Sequence, residues 1–332
     1  MGEQRSSGPH SLLDYSPDIS AEELMRQLVP PPEFSSATFE NYRPDPHFPT
    51  QQVALEAAKQ FATGKLGKRR GKAEDPPGVY LDGGFGVGKT HLLASIWHAH
   101  KGTKAFGTFL EYTSIVGFLG FQEASRRLSG FSLICIDEFE LDDPGDTMIL
   151  SRLLKELSAR GVKFAATSNT PPNALGEGRF ASEDFAREIA GLGQRFQVLR
   201  IDGEDYRHRD PDAHAQVLSR EELDDWALGK TTCHLDSFLP LLDHLATLHP
   251  TKYRKLLSHV EALAISEVRK FTDQVPALRF VVFVDRLYEL QIPLRSSGEC
   301  AITEVFSESM LSGGYRKKYL RAVSRLGALS EL

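Results

Sequence analysis

The chain has 332 residues, 41% of them hydrophobic and 25% charged, the balance of a soluble globular protein long enough for two domains. A net charge of −6 gives no electrostatic case for generic nucleic-acid binding, which rests on clustered Lys and Arg at phosphates. There is no run of about eighteen apolar residues, and the polar start MGEQRSSGPHS holds no hydrophobic signal core, so no membrane span or secretory leader is expected and a cytoplasmic protein is.

Residues up to about Pro32 are polar and punctuated by proline, with a short helix expected over Ile19–Leu28. A second helix is expected from Gln51 to about Phe61, where Val53, Leu55, Ala57, Ala58 and Phe61 can cover a sheet face or an adenine ring. The basic run Lys65–Lys72 lies in a Gly-rich stretch without interleaved aromatic residues and reads as a solvated loop. Beyond it the apolar run Val79–Leu81 reads as a buried strand. GGFGVGKT, from Gly83 to Thr90, then fits G-x-x-x-x-G-K-[ST], and His91–Trp97 repeats apolar residues at helical spacing. Strand, glycine loop and helix in that order make a phosphate-binding loop. Such a loop turns the backbone N–H groups of Gly83, Gly84, Phe85, Gly86, Val87 and Gly88 around a polyphosphate, and the helix N-terminus adds a field that favours negative charge. Lys89 is then set to meet the β- and γ-phosphates of ATP, and the Thr90 hydroxyl to bind Mg²⁺.

Ala105–Tyr112 is the next strand candidate and Ser114–Leu128 its crossover helix. Phe131–Glu138 is an apolar strand that ends in two carboxylates. This puts Asp137 at the carboxyl edge of a sheet, where it can hold Mg²⁺ opposite Thr90, and makes Glu138 the candidate general base for a water that attacks the γ-phosphate. The adjacent Glu argues against a small-molecule kinase, whose nucleophile is the substrate itself. Cys135 occupies a small hydrophobic position in this strand, and with Cys233 and Cys300 it has no metal-like spacing. A helix follows from Asp146 to Arg160, with Ile149, Leu150, Leu153, Leu154 and Leu157 on one stripe and Gly161 as its stop. Val162–Asn169 is another strand with a polar end. Asn169 fits the polar residue that in AAA+ ATPases contacts the γ-phosphate and the attacking water. Val198–Ile201 is expected to close the sheet, and Asp205–Pro211 to mark the exit from it.

Alternating strands and helices on this scale imply an α/β fold, a doubly wound parallel sheet of the P-loop NTPase (AAA+-like) kind with nucleotide at the carboxyl ends of its strands. After about Asp212 the character changes to a smaller mixed α/β region. Phe238, Leu241, Leu242, Leu245 and Leu248 form a helical stripe that Pro250 closes, and Tyr253, Leu256 and Leu257 begin another. Ala262–Ile265 and Leu278–Val284 read as an extended pair. A last helix from about Tyr315 to Leu326 carries Arg316, Lys317, Lys318, Arg321 and Arg325, any of which is a candidate second sensor or part of a solvated basic face. The expected division is residues 1–32 as a polar N-terminal segment, 33–212 as the ATPase core and 213–332 as a region for partner contact or sensing.

The segments GVYLDGGFGVGKTHLL, ICIDEFELDDPGDTMILSRLLKEL, ATSNTPPNAL, IDGEDYRHR, RFVVFVDRLYE and AVSRL together resemble the ZapE branch of a family of AAA+ ATPases that also has AFG-like mitochondrial members. The resemblance runs from about Phe34 to about Leu326. The loop and the Asp-Glu pair are shared by many ATPases; DEF followed by DTMIL, then TSN-x-x-P, then DYR is more specific. What the resemblance implies is an ATPase that in bacteria associates with the division machinery and acts on the tubulin-like protein FtsZ, assembling as an ATP-dependent homo-oligomer. It also implies an arginine finger, and here the chain departs from the family pattern: around GEGRFASEDFAREI the candidates are Arg187 and Arg179, with Arg195 third.

The expected activity is therefore Mg²⁺-dependent ATP hydrolysis that drives conformational work on a protein client. A helicase-loader-like ATPase that binds nucleic acid or a replicative helicase is the alternative, separable by single-stranded DNA binding with a steep salt slope. A nucleotide-gated scaffold without turnover is the third class.

Overall fold

The structure is a computed structural model that describes residues 9–64, 78–84, 86–140, 144–171, 196–204, 215–230 and 232–332. The chain divides into two compact units, residues 20–208 and residues 1–19 with 209–332.

The first unit begins with helix α1 (Ala21–Arg26), where Ser20 and Glu23 form a reciprocal capping box, and α2 (Pro49–Ala62), which opens on a proline. Strand β1 (Gly78–Gly83) leads through the glycine loop into α3 (Lys89–Ala99), and β2 (Lys104–Thr108) follows. The sequence reading carried this strand to Tyr112, but a second capping box, Thr108 with Glu111, starts α4 (Phe109–Leu119) directly at the strand end. The expected single crossover helix is likewise two helices, α4 and α5 (Phe121–Leu128), broken at Gly120, whose φ of 77° closes the helix path. Then come β3 (Leu133–Asp137), α6 (Pro144–Ala159), β4 (Lys163–Ser168) and β5 (Phe196–Ile201).

These five strands form one sheet in the order β2-β3-β4-β1-β5, every pair parallel. Strand β1 is buried along its whole length, as parallel strands covered on both faces are. Val79 and Leu81 face a cluster built on Ala54, Leu55 and Ala58 of α2 and Leu92, Leu93 and Ile96 of α3. The alternating residue Tyr80 points to the opposite face, into Phe139 and Phe196. The chain leaves β1 toward β2 on one side, whereas β5, which follows β4, lies on the far side of β1. The carboxyl ends of β1 and β4 therefore flank the switch point where an open α/β sheet forms its crevice.

The second unit is also a parallel sheet, β6 (Val217–Leu218), β7 (Cys233–Ser237), β8 (Ala262–Val268) and β9 (Leu294–Gly298), ordered β6-β9-β8-β7. Helix α7 (Arg220–Leu228) covers one face, where Leu223 and Ala227 pack on Ala262 and Ala264. The other face is covered by α8 (Phe238–Thr247), α9 (Tyr253–Leu256), α10 (Gln274–Glu289) and the C-terminal α12 (Arg316–Glu331), with the short α11 (Glu308–Ser312) before it. His10 pairs with His234 beside β7, Leu12 is buried in this core, and Asp236 accepts from Ser11 Oγ at 2.5 Å and Leu12 N at 3.1 Å.

One expectation fails here: Leu278–Val284 is not a strand but the middle of α10. Asp273 caps that helix by accepting from Val275 N, and the helix buries nearly all sides of its central turns, so a seven-residue run that is apolar but for Arg279 could not be assigned by periodicity. The partners that β8 has are the polar β9 and the short β7.

Candidate active site

The glycine loop is built by close approach as much as by flexibility. A Cβ on Gly83 would lie 2.2 Å from the carbonyl oxygen of Ile201, and Gly88, at φ 86°, would drive one to 2.6 Å from the Tyr42 ring. Gly84 faces open space, with nothing within 4 Å of where a Cβ would stand. Tyr42 is a residue that sequence reasoning missed: its ring lies under Gly88 and its hydroxyl donates to Val87 O at 3.3 Å. The segment around it is laid along α3, where His91 Nε2 meets Thr38 O and His98 Nε2 meets Phe34 O, each at 3.0 Å.

Lys89 opens α3 and is only 9% exposed, so its ammonium has to be bonded rather than solvated. It donates to Gly83 O at 2.9 Å, to Gly84 O, and to Asn169 Oδ1 at 2.8 Å. This last contact joins the start of α3 to the residue just past β4. The next residue, Thr90, donates from Oγ1 to both oxygens of Asp137, at 3.2 and 3.3 Å. Lys89, Thr90, Asp137 and Asn169 thus meet in one place although 80 residues separate Lys89 from Asn169.

Asp137 is 9% exposed at the end of β3. Burial pushes its carboxyl up to about 6, the neighbouring Glu138 charge adds to the rise, and hydrogen bonds from Thr167 and Thr90 hold it from going further. A buried carboxylate in that condition favours a cation. The donor set, one carboxylate and one hydroxyl, is of the hard-oxygen kind that fits Mg²⁺. Thr167, also missed in the sequence, serves both acidic residues, since its hydroxyl donates to Asp137 Oδ1 and accepts from Glu138 N at 3.0 Å.

Glu138 adopts φ 52°, a left-handed conformation that a non-glycine residue holds only when its neighbours impose it. Here they do. Asp137 is fixed by the two threonines. Phe139 donates its N–H to Thr167 O at 2.7 Å and is wholly buried among Tyr80, Phe109 and Phe196, with ring centroids 6.0, 5.7 and 6.2 Å away. With both flanks anchored, the backbone at Glu138 turns back to front.

Beside the loop, the buried Asp82 at the end of β1 pairs with Arg200 of β5 at 2.9 Å, and Arg200 also holds Asp202 at 2.7 Å. Gln51 of α2 reaches the same corner and donates to Asp202 O at 2.9 Å. Of the remaining sequence expectations, Phe85 of the loop, Arg179, Arg187 and Arg195, the basic run at 65–72 and the run at 205–211 lie outside the described residues. Arg321 and Arg325 of α12 both pair with the buried Asp285 of α10, Arg321 at 2.9 Å. Among the described residues no helix is long and apolar enough to cross a membrane.

Comparison with known proteins bears on this site. The chain is 34% identical to cell division protein ZapE of Escherichia coli K12 over 162 residues, which is 44% of this chain and 43% of that protein. It is 28% identical to lactation elevated protein 1 homolog B of Danio rerio over 162 residues, 42% of this chain and 32% of the other. The matched stretches thus span less than half of each curated relative. Among solved structures, DnaI is similar at a TM-score of 0.44 and 19% identity, covering 55% of this chain and 99% of that one. Domain III of Thermotoga maritima DnaA is similar at 0.42 and 20%, covering 59% and 80%. Likeness at that level adds nothing to what the strand order and the family match show. The profile of the AFG1-like ATPases matches residues 19–234 and 227–331, nearly the whole chain: the protein belongs to the AFG1-like ATPase family.

Proposed function

We propose that ATP is hydrolysed at the carboxyl edge of the first sheet and that the energy drives conformational work on a protein client. The observation that carries the site assignment is the convergence of Lys89 on Asn169 at 2.8 Å and of Thr90 on Asp137 at 3.2 Å, at the switch point of a parallel sheet. In this reading the backbone of Gly83–Thr90 cradles the phosphates, and Lys89 exchanges the Gly83 and Gly84 carbonyls for β- and γ-phosphate oxygens. Thr90 and Asp137 hold Mg²⁺, which when bound supplies positive charge to the phosphate oxygens. Glu138 accepts the proton of the attacking water at its carboxylate, and its imposed backbone conformation fixes where that carboxylate starts from. Asn169 orients the water and the γ-phosphate through its amide. Arg187 from a neighbouring subunit is the proposed finger, with Arg179 and Arg195 as substitutes, in an ATP-dependent homo-oligomer.

The client is proposed to be FtsZ or another part of the division machinery, in the cytoplasm. Support comes from the name of the E. coli relative, a cell division protein, and from the match to it across 44% of this chain. ATPase activity measured against protein concentration, with and without purified FtsZ, tests catalysis, assembly and client together. Turnover that rises with concentration and changes with FtsZ supports the reading. Turnover that is unchanged by FtsZ removes that client, and turnover that is constant down to a proven monomer removes the trans finger.

A further inference from the structure

The acidic run at the end of β3 has a third carboxylate that the proposed chemistry does not use. Glu140 receives three donors from three successive residues at the end of β4: Ser168 Oγ at 3.1 Å, the Asn169 backbone N–H at 3.1 Å and Thr170 Oγ1 at 3.2 Å. The turn is closed further by Thr170 N on Ser168 Oγ at 3.0 Å. Tyr80 grips it from the β1 side by donating to Thr170 O at 2.8 Å. With its oxygens turned to these donors, Glu140 is not directed at a water as a second base would be. Its geometry serves another end.

We infer that Glu140 is a positioning residue for Asn169, holding the end of β4 against the acidic loop so that the Asn169 amide is presented at the phosphate site. This rests on the proposed sensor role of Asn169. The physical ground is that residues 168–170 lie where the strand ladder stops, so their N–H and hydroxyl groups need partners that the sheet no longer supplies. A single carboxylate takes the two hydroxyls and the Asn169 N–H, Ser168 Oγ takes the Thr170 N–H, and that carboxylate is only two residues from Glu138. General base and sensor are thereby braced on one another, and neither can shift without straining the contacts of the other. Tyr80 braces the outer side, so with Glu140 in place the Asn169 side chain meets Lys89 at 2.8 Å.

The test is a double-mutant cycle between Glu140→Ala and Asn169→Ala in the full chain, with steady-state turnover and equilibrium ATP binding measured for each variant. Glu140→Gln serves as the shape-conserving control that keeps one acceptor oxygen. Misplacement of a positioned group by about 1 Å costs up to about 100-fold, so Glu140→Ala should lower kcat about 10- to 100-fold while ATP affinity stays within about 3-fold. Glu140→Gln should fall between wild type and Glu140→Ala. The double variant should be no slower than Asn169→Ala alone, because the carboxylate acts only through that amide. Wild-type kcat in Glu140→Ala overturns the inference, as do effects that multiply in the double variant or a parallel loss of ATP binding in Glu140→Ala and Glu140→Gln. If Asn169→Ala itself turns over at the wild-type rate, the sensor reading fails and this inference with it, whatever Glu140→Ala does.

Discussion

Two buried aspartates, one in each unit, are treated in opposite ways. Asp137 ends a strand of a parallel sheet; among the described residues its oxygens take hydroxyl donors, a second carboxylate stands beside it, and burial pushes its carboxyl up to about 6 despite the Lys89 charge. Asp285 lies in α10 over the second parallel sheet, where burial alone would push it up too. There the guanidinium groups of Arg321 and Arg325 outweigh burial and hold it below the usual carboxylate range. Among the described residues the second unit pairs its carboxylate with two guanidinium groups, whereas in the first the Lys89 charge does not outweigh burial and the charge of Glu138. An open buried charge is tolerated where a ligand is to complete it, which is what separates a site from a structural ion pair.

If the first site is completed from outside, its largest sensitivity is to the proposed external arginine. Arg187→Ala should bind ATP normally yet lose about 10³- to 10⁵-fold in turnover, and mixing it with Glu138→Gln subunits should restore activity by pairing an intact site with an intact Arg187. Full activity in Arg187→Ala moves the role to Arg179 or Arg195.

The closed cluster should answer in stability and not in chemistry. Asp285→Ala removes the buried carboxylate that Arg321 and Arg325 both pair with and should cost the second unit about 3–5 kcal/mol. The two tryptophans make this separable, because Trp97 lies in the first unit and Trp226 in the second. In a Trp97→Phe background, denaturant unfolding followed by Trp226 fluorescence should shift to lower midpoint while ATP binding is retained. Loss of ATP binding with no shift would erase the distinction between the units.

Lys89→Ala should weaken ATP binding about 10- to 100-fold, the worth of a charge-assisted hydrogen bond at 1.5–3 kcal/mol, with the unit still folded. Calorimetric titration reads it directly.

The smallest effects are those of pH, and they have opposite signs in the two units. A carboxyl raised to about 6 from an unfolded value of 3.8 contributes stability that is full below 3.8 and lost as pH rises through about 6. The Asp137 contribution therefore makes the first unit firmer at pH 5 than at pH 7.5, and Asp137→Asn should flatten that slope and stabilise the unit by about 1–3 kcal/mol at pH 7.5. The lowered carboxyl of Asp285 contributes stability that is present above 3.8 and lost only as pH falls below it. Trp97 fluorescence in a Trp226→Phe background, melted at both pH values, checks the first sign; a first unit that is no firmer at pH 5 would contradict the burial account of Asp137.

Much of the first unit was legible because its chemistry is local. GGFGVGKT follows a strand and starts a helix, Asp137 and Glu138 end an apolar run, and Asn169 ends the next. The structure brings Lys89, Thr90, Asp137 and Asn169 together. Thr167, Tyr42 and Glu140 were not legible, since each acts on a segment distant in sequence through a contact that no spacing announces. The Thr108-Glu111 capping box was a readable signal that would have ended β2 where it ends. In the second unit Ala262–Ile265 was legible as part of β8, but its neighbours are short or polar, LRSSG in β9 and CHLDS in β7, and the strand-like run Leu278–Val284 is a helix buried on most sides. A parallel sheet covered on both faces loses the alternation by which strands are found.

The central claim, that the open charge at the end of β3 belongs to an ATP-hydrolysing site, is tested most directly by measuring ATP binding and turnover side by side for wild type and Glu138→Gln. The account predicts unchanged ATP affinity with turnover lowered about 10²- to 10⁴-fold, so that the variant holds ATP unhydrolysed. Equal turnover in the two proteins would contradict it.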